Sequence, residues 1–193
     1  AMPSFAGEMR SEIRRILFHE STILSRIDEM AEQISRDYAG KDLTVVAVLN
    51  GSLMFGADLL RRLDMPLRLD CLSVSSYRGA STTGVVKFNQ ERLPDVRGRH
   101  VLLLDDILDS GHTLHAIRDR MLAEAGPLSV KICVLLRKDV PRVRELEADY
   151  LGFDISNEFV VGYGLDYMER FRNLPYIGVV SDEAIAKYAP PRS

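Results

Sequence analysis

Little in this chain of 193 residues suits an oxidising compartment, a membrane or a polyanion. It has two cysteines, Cys71 and Cys133, each inside an apolar run and at neither a metal-ligand spacing nor the density of a disulfide framework. Both read as buried free thiols in a reducing compartment. No apolar run reaches the roughly 18 residues of a membrane span, and the first residues, AMPSFAGEMR, lack the apolar core of a secretory signal. A cytoplasmic location with no membrane partner is therefore expected. Ala1 ahead of Met2 reads as a remnant of cloning and is set aside. An excess of one charge is missing too: 25 basic residues face 28 acidic ones, a formal net charge of −3. With a pI near 5.8, the chain does not look like a dedicated nucleic-acid binder. Repeats, low-complexity tracts and interdomain linkers are absent.

What is present is material for a core. Hydrophobic residues make up 46% of the chain and charged ones 27%, which fits one globular domain with a small lobe. A chain of this size buries roughly 70% of its unfolded surface, so no metal or disulfide staple is required. Between Ser21 and Tyr38, Ile23, Ile27, Met30, Ile34 and Tyr38 recur at spacings of four and three, one face of a helix. Thr44 to Asn50, TVVAVLN, is continuous and β-branched, which predicts a strand covered on both faces. A second helical pattern follows Gly51 and Ser52, with Phe55, Leu59, Leu60 and Leu63 on one side. Leu67 to Ser76 reads as a strand, and the polar YRGASTTGVVKFNQ after it as a mobile loop or weak hairpin. Then come the apolar strand HVLLLDD and a helix from about His112 with Leu114, Ile117, Met121 and Leu122 in one stripe, ended by Ala125, Gly126 and Pro127. Val130 to Leu136, a short stretch from Asp149 to Gly152, Glu158 to Gly162 and Tyr176 to Val180 complete the strands, and the tail AKYAPPRS is expected to fray. Strands alternating with helices imply parallel crossovers.

The chemistry concentrates in VLLLDDILDSGHTL, Val101 to Leu114, where a buried strand delivers three carboxylates and then a Ser-Gly-His-Thr turn into a helix. Ligands of such sheets bind beyond the carboxyl ends of strands. A turn entering a helix aims unpaired amides and the positive dipole end at one spot, which suits a phosphate. Gly111 permits close approach, while Ser110 and Thr113 add hydroxyl donors. The plain alternative is that Asp109 or Ser110 caps the helix and the aspartates are surface residues. Against it, Asp105, Asp106 and Asp109 beside an anion cradle repel one another unless a cation or a cationic centre sits among them.

DDILDSGHT resembles the phosphoribosyl pyrophosphate signature of type I phosphoribosyltransferases, and its third aspartate resembles the hypoxanthine-guanine branch. LNGS, SSY, LLRK and FVVGYGLDY through FRNLPYIGVVS follow in the family's order, from about Val45 to Tyr188. The resemblance implies an α/β fold: a central, mainly parallel sheet flanked by helices, with a small hood from the N- and C-terminal segments. It implies a single domain over residues 1–193, with its core at about 40–182. The implied reaction moves the phosphoribosyl group of phosphoribosyl pyrophosphate to N9 of hypoxanthine or guanine, with Mg²⁺ as cofactor and a homodimer or homotetramer as the assembly. Asp109 would be the general base toward N7. Asp105 and Asp106 would hold the ribose hydroxyls directly or through water and Mg²⁺, and Ser110, Gly111, His112, Thr113 and Leu114 the 5'-phosphate. Asn50, Gly51 and Arg172 would bind pyrophosphate, the LNGS loop through its amides and often with a non-proline cis peptide. Some members carry a basic residue where this chain has Asn50. Lys138 would donate to O6 of the purine, Phe159 would stack on it and Val160 would meet its edge with backbone atoms. On composition alone Lys138 is a solvated lysine, and Phe159 a core aromatic. Asp166 would be a magnesium ligand, and Ser76 and Tyr77 the base of a closing loop. A xanthine-guanine enzyme is the near alternative, and a non-catalytic RNA-binding regulator on the same fold the distant one. A receiver-like signalling domain gives no account of the Ser-Gly-His-Thr turn.

Overall fold

The computed structural model describes residues 9–77, 85–142 and 145–192. In chain order the elements are β1 (Ile13–Phe18), α1 (Glu20–Asp37), β2 (Leu43–Leu49), α2 (Leu53–Leu60), β3 (Leu67–Tyr77), β4 (Val85–Phe88), β5 (His100–Leu108), α3 (His112–Glu124), β6 (Ser129–Lys138), β7 (Tyr150–Ile155), β8 (Val160–Val161), β9 (Ile177–Val180) and α4 (Asp182–Tyr188). They fall into two compact units, one of Ile27–Asn157 and one formed by the chain's ends, up to Arg26 and from Glu158 onward.

The larger unit holds a six-stranded sheet in the order β4-β3-β2-β5-β6-β7. All neighbours run parallel except β4, which returns antiparallel along β3. The continuous apolar runs are its centre: Val45, Val46, Val101 to Leu104 and Ile132 to Leu136 are fully buried. Helix α2 lies over β2 and β5, and α3 over β6. Leu114, Ile117 and Met121 of α3 join Val101, Leu103, Ile132 and Val134 in one core. Leu122, placed in the same stripe from the sequence, is 51% exposed, because the buried face is narrower than the apolar pattern. Helix α1 buries Ile23, Ile27, Met30 and Ile34 along the predicted face, and the Tyr150 hydroxyl ties its end by donating to Asp37 Oδ2 at 2.7 Å. The polar segment after β3 is a hairpin where it is described, with Ser76 opposite Val86 and Tyr77 opposite Val85. The predicted closing loop otherwise lies in residues 78–84, outside the described ones.

The smaller unit is a three-stranded antiparallel sheet in the order β1-β9-β8. Its core joins Ile13, Val161, Phe171, Leu174, Val180 and Ala184. Strand β1 was not anticipated, and the predicted Glu158–Gly162 strand shrinks to the two residues of β8. The tail is ordered further than its prolines suggest: α4 runs to Tyr188, capped by Ser181, whose hydroxyl accepts from the Ala184 amide at 3.1 Å. No helix among the described residues is long and apolar enough to cross a membrane. Cys71 and Cys133 are both free thiols; Cys133 is buried as expected, whereas Cys71, on the strand next to the sheet's edge, is only partly covered.

Candidate active site

Strand β5 sits between β2 and β6 and continues two residues past the expected end, so Asp105 and Asp106 are held inside the ladder. Asp105 is in register with Val134, and Ile107 with Leu136. The Asp106 amide donates to Asp105 Oδ1 at 2.8 Å. Burial, and next the Asp106 charge, push the Asp105 carboxyl well above the ordinary carboxylate range. Two acids packed this way are poorly compatible as dianions, which favours a cationic centre between them. The Asp106 carboxylate also lies against Gly51: a Cβ there would fall 2.1 Å from Oδ2, so any larger residue must displace that carboxylate. The peptide joining Leu49 to the exposed Asn50 is cis.

Beyond the carboxylates, Asp105 to Leu114 line a cavity of about 210 Å³. Gly111 takes the N-cap of α3 in the left-handed conformation, φ +84°, and no side chain caps the helix. This sets aside the reading of Asp109 or Ser110 as a simple cap. The first bond closing on α3 runs from the His115 amide to Gly111 O, so the preceding helical amides have no acceptor in the helix. That of His112 reaches Ser110 Oγ at a long 3.5 Å. The cavity thus has an amide-lined end fit for an anion and a carboxylate end fit for a centre that becomes positive.

Lys138 closes β6, and its side chain is 13% exposed, so it is not the solvated lysine that composition suggests. Its Nζ lies 4.0 Å from Oδ2 of the more open Asp109. Arg142, which belongs to no motif, donates from Nη1 to the carbonyls of Asp109 at 2.8 Å, Lys138 at 3.1 Å and Val140 at 2.9 Å. Contacts to main-chain carbonyls leave no mark in a residue pattern; the signal was only an arginine four positions past the lysine. The backbone of Ser76 and Tyr77 ends β3.

In the smaller unit, Phe159 precedes β8 rather than lying in a strand, and is 46% exposed instead of core. Tyr167 meets it edge-on, with ring centroids 5.4 Å apart at 88°, and is anchored through its hydroxyl to Ile185 O at 2.8 Å. Val160 is buried in β8 opposite Val179. Between Gly162 and Leu174 the chain folds into tight turns, with positive φ at Tyr163, Met168, Glu169 and Phe171. Such conformations in non-glycine residues persist where surrounding structure enforces them, and cluster at functional sites. Asp166 accepts from the Glu169 amide at 3.0 Å and lies 3.4 Å from the Arg172 guanidinium. Arg172 Nη1 donates to Gly164 O at 2.7 Å, while its buried Nε has no partner among the described residues. Nor do three or more carboxylate, histidine or cysteine groups converge as a metal cage among those residues.

Residues 16–168 match the family model of the phosphoribosyl transferase domain. The hypoxanthine-guanine phosphoribosyltransferase of Streptococcus pneumoniae is 45% identical over 176 residues, covering 91% of this chain and 97% of that protein. Among solved structures, a hypoxanthine phosphoribosyltransferase from Staphylococcus aureus superposes with a TM-score of 0.86 at 39% identity, over 95% of this chain and 98% of that one. The hypoxanthine phosphoribosyltransferase of Trypanosoma cruzi, a variant in a ternary substrates complex, gives 0.83 at 38% identity, over 90% and 98%.

Proposed function

The chain belongs to the phosphoribosyl transferase domain family, and from that premise we propose that it is a hypoxanthine-guanine phosphoribosyltransferase. It transfers the 5-phosphoribosyl group from phosphoribosyl pyrophosphate to N9 of hypoxanthine or guanine and releases pyrophosphate, a step of purine salvage. The relatives favour this over the xanthine-guanine and RNA-binding alternatives. One observation carries it: a single cavity joins the amides at the start of α3 to the carboxylates at the end of β5.

Departure of pyrophosphate leaves C1' cationic, and that charge is stabilised by Asp106 and by Asp105, whose carboxylate is disfavoured by burial and by the Asp106 charge until a positive centre faces it. The amides and hydroxyls of residues 110–114 hold the 5'-phosphate. Asp109 takes the N7 proton as N9 attacks. Lys138, a donor with no acceptor, selects an oxo group at O6 over the amino group of adenine. The ring of Phe159 stacks on the purine, the Val160 backbone meets its edge, and Arg172, whose planar fork suits pyrophosphate, binds that group. Asn50 and Gly51 serve pyrophosphate with their amides, and Ser76 and Tyr77 carry the loop that excludes water.

Mg²⁺ fits the carboxylates each unit offers. An ion that keeps waters and substrate phosphates as ligands needs one or two carboxylates rather than a protein cage; in the larger unit Asp105 and Asp106 would hold it directly or through water, and in the smaller unit Asp166 would be a ligand. When bound, it neutralises charge on the pyrophosphate. We read residues 1–193 as one domain with a hood from its terminal segments, working as a homodimer or homotetramer. Its free thiols suit the cytoplasm. The test is pyrophosphate release with hypoxanthine, guanine, xanthine and adenine under one condition. Rates should be high with the first two and near background with adenine; equal turnover of adenine overturns the specificity reading.

A further inference from the structure

We propose that Arg142 is a positioning residue for the reaction: its guanidinium ties the turn that carries Asp109 to the end of β6 that carries Lys138, and so sets where the proton acceptor and the purine-oxygen donor stand. The proposal rests on the functional reading above.

Asp109 falls between the last residue of β5, Leu108, and the first of α3, His112. It lies outside both ladders, so neither element fixes its main chain. Lys138 is the last residue of β6, where that ladder also ends. Arg142 spans the two, with one nitrogen within 3.1 Å of three carbonyl oxygens: those of Asp109, Lys138 and Val140. That nitrogen carries two hydrogens, so at least one bond is shared. A charged donor holds such a shared arrangement better than a neutral one, because the attraction to each carbonyl dipole does not depend on one ideal geometry. The stem of Arg142 is placed by the same turn: a Cβ on Gly111 would stand 3.7 Å from its Cδ and 3.4 Å from the buried Leu146. The 4.0 Å separation of Lys138 Nζ and Asp109 Oδ2 is thereby held from the backbone side, not by a bond between the two side chains.

The test compares Arg142→Met and Arg142→Lys with the wild-type chain, measuring kcat, KM for hypoxanthine, KM for phosphoribosyl pyrophosphate, and Tm. Methionine keeps the apolar stem and removes every donor. Both functional groups then shift, so kcat should fall by about ten- to a hundredfold and KM for hypoxanthine should rise about tenfold. KM for phosphoribosyl pyrophosphate should rise less, by no more than about threefold, since of the amides that hold its phosphate only that of Ser110 shares a peptide with the Asp109 carbonyl and the rest start α3. Lysine, which can reach some of the carbonyls, should restore part of the loss. In an Asp109→Asn background the same methionine change should lower kcat by less than about threefold, because the base it positions no longer acts, while the rise in KM for hypoxanthine, which comes through Lys138, should persist.

A methionine variant with kcat and hypoxanthine KM within twofold of wild type overturns the proposal, as does an equal rise in both KM values accompanied by a lower Tm. Should Arg142→Met fail to fold, Arg142→Lys decides alone, by whether its loss falls mainly on hypoxanthine or equally on both substrates. A wild-type chain without base-dependent pyrophosphate release defeats the functional reading itself; an active wild type with an indifferent Arg142→Met defeats only this inference.

Discussion

The Lys138 ammonium and the Asp109 carboxylate face each other across 4.0 Å. At that separation they attract but make no hydrogen bond. Lysine therefore keeps its three donors, and aspartate its acceptors, for a ligand. The carboxylate also offsets part of the cost of holding a lysine that is only 13% exposed.

Replacing Asp109 by asparagine preserves shape and a hydrogen-bond acceptor but removes proton affinity. Steady-state pyrophosphate release should show kcat reduced by about a hundred- to ten-thousandfold with KM values little changed. A wild-type rate in this variant would remove the assignment.

Lys138→Gln replaces an obligate donor with a group that both donates and accepts. The kcat/KM for hypoxanthine should fall about ten- to a hundredfold, matching roughly 1–3 kcal/mol for a lost buried partner. The ratio of hypoxanthine to adenine turnover should narrow. An unchanged ratio would assign base selection to another residue.

The Asp105 carboxyl has its affinity for protons raised first by burial and then by Asp106. A carboxyl raised on folding lends stability that is complete below its unfolded pKa of about 3.9 and is lost as pH climbs through the folded value. Asp105→Asn removes that loss while keeping an oxygen to accept the Asp106 amide. Its ligand-free Tm at pH 7 should exceed wild type by about 2–4 °C, the shift worth roughly 1 kcal/mol in a chain of this size. The gain should vanish toward acid pH, and catalysis should suffer. A lower Tm at neutral pH would contradict the account.

Gly51→Ala sets a methyl 2.1 Å from Asp106 Oδ2. The resulting overpacking costs about 1–3 kcal/mol. Calorimetry should record a Tm several degrees lower, and KM for phosphoribosyl pyrophosphate should rise more than KM for hypoxanthine. Unaltered values would mean that the turn shifts without penalty.

The parallel sheet was readable because its strands are buried on both faces and so are apolar without interruption, as in Val45 to Val48 and Val101 to Leu104. The anion turn was readable because a glycine between hydroxyls at the head of a helix is a local pattern. Strand β1 escaped because Arg14 and Arg15 break its apolar run, and its pairing with Ile177–Val180 is irregular in register. Helix α4 was hidden by the prolines beyond it, although Ser181 and the acids after it are a helix-start signal. The burial of Lys138 and the reach of Arg142 belong to tertiary structure, since both depend on how strand ends meet rather than on neighbours in sequence.

Ile13 pairs with Val180 and Phe18 with Ile177. In a nascent chain this strand, with its two arginines among apolar residues, therefore emerges long before its partner is made. All strands of the larger sheet have been synthesised by Ile155. At roughly 5–20 residues per second, residues 13–18 then wait on the order of seconds more for β9. Slow translation between those points lengthens the interval in which Ile13, Ile16, Leu17 and Phe18 are open to chaperones or to another newborn copy.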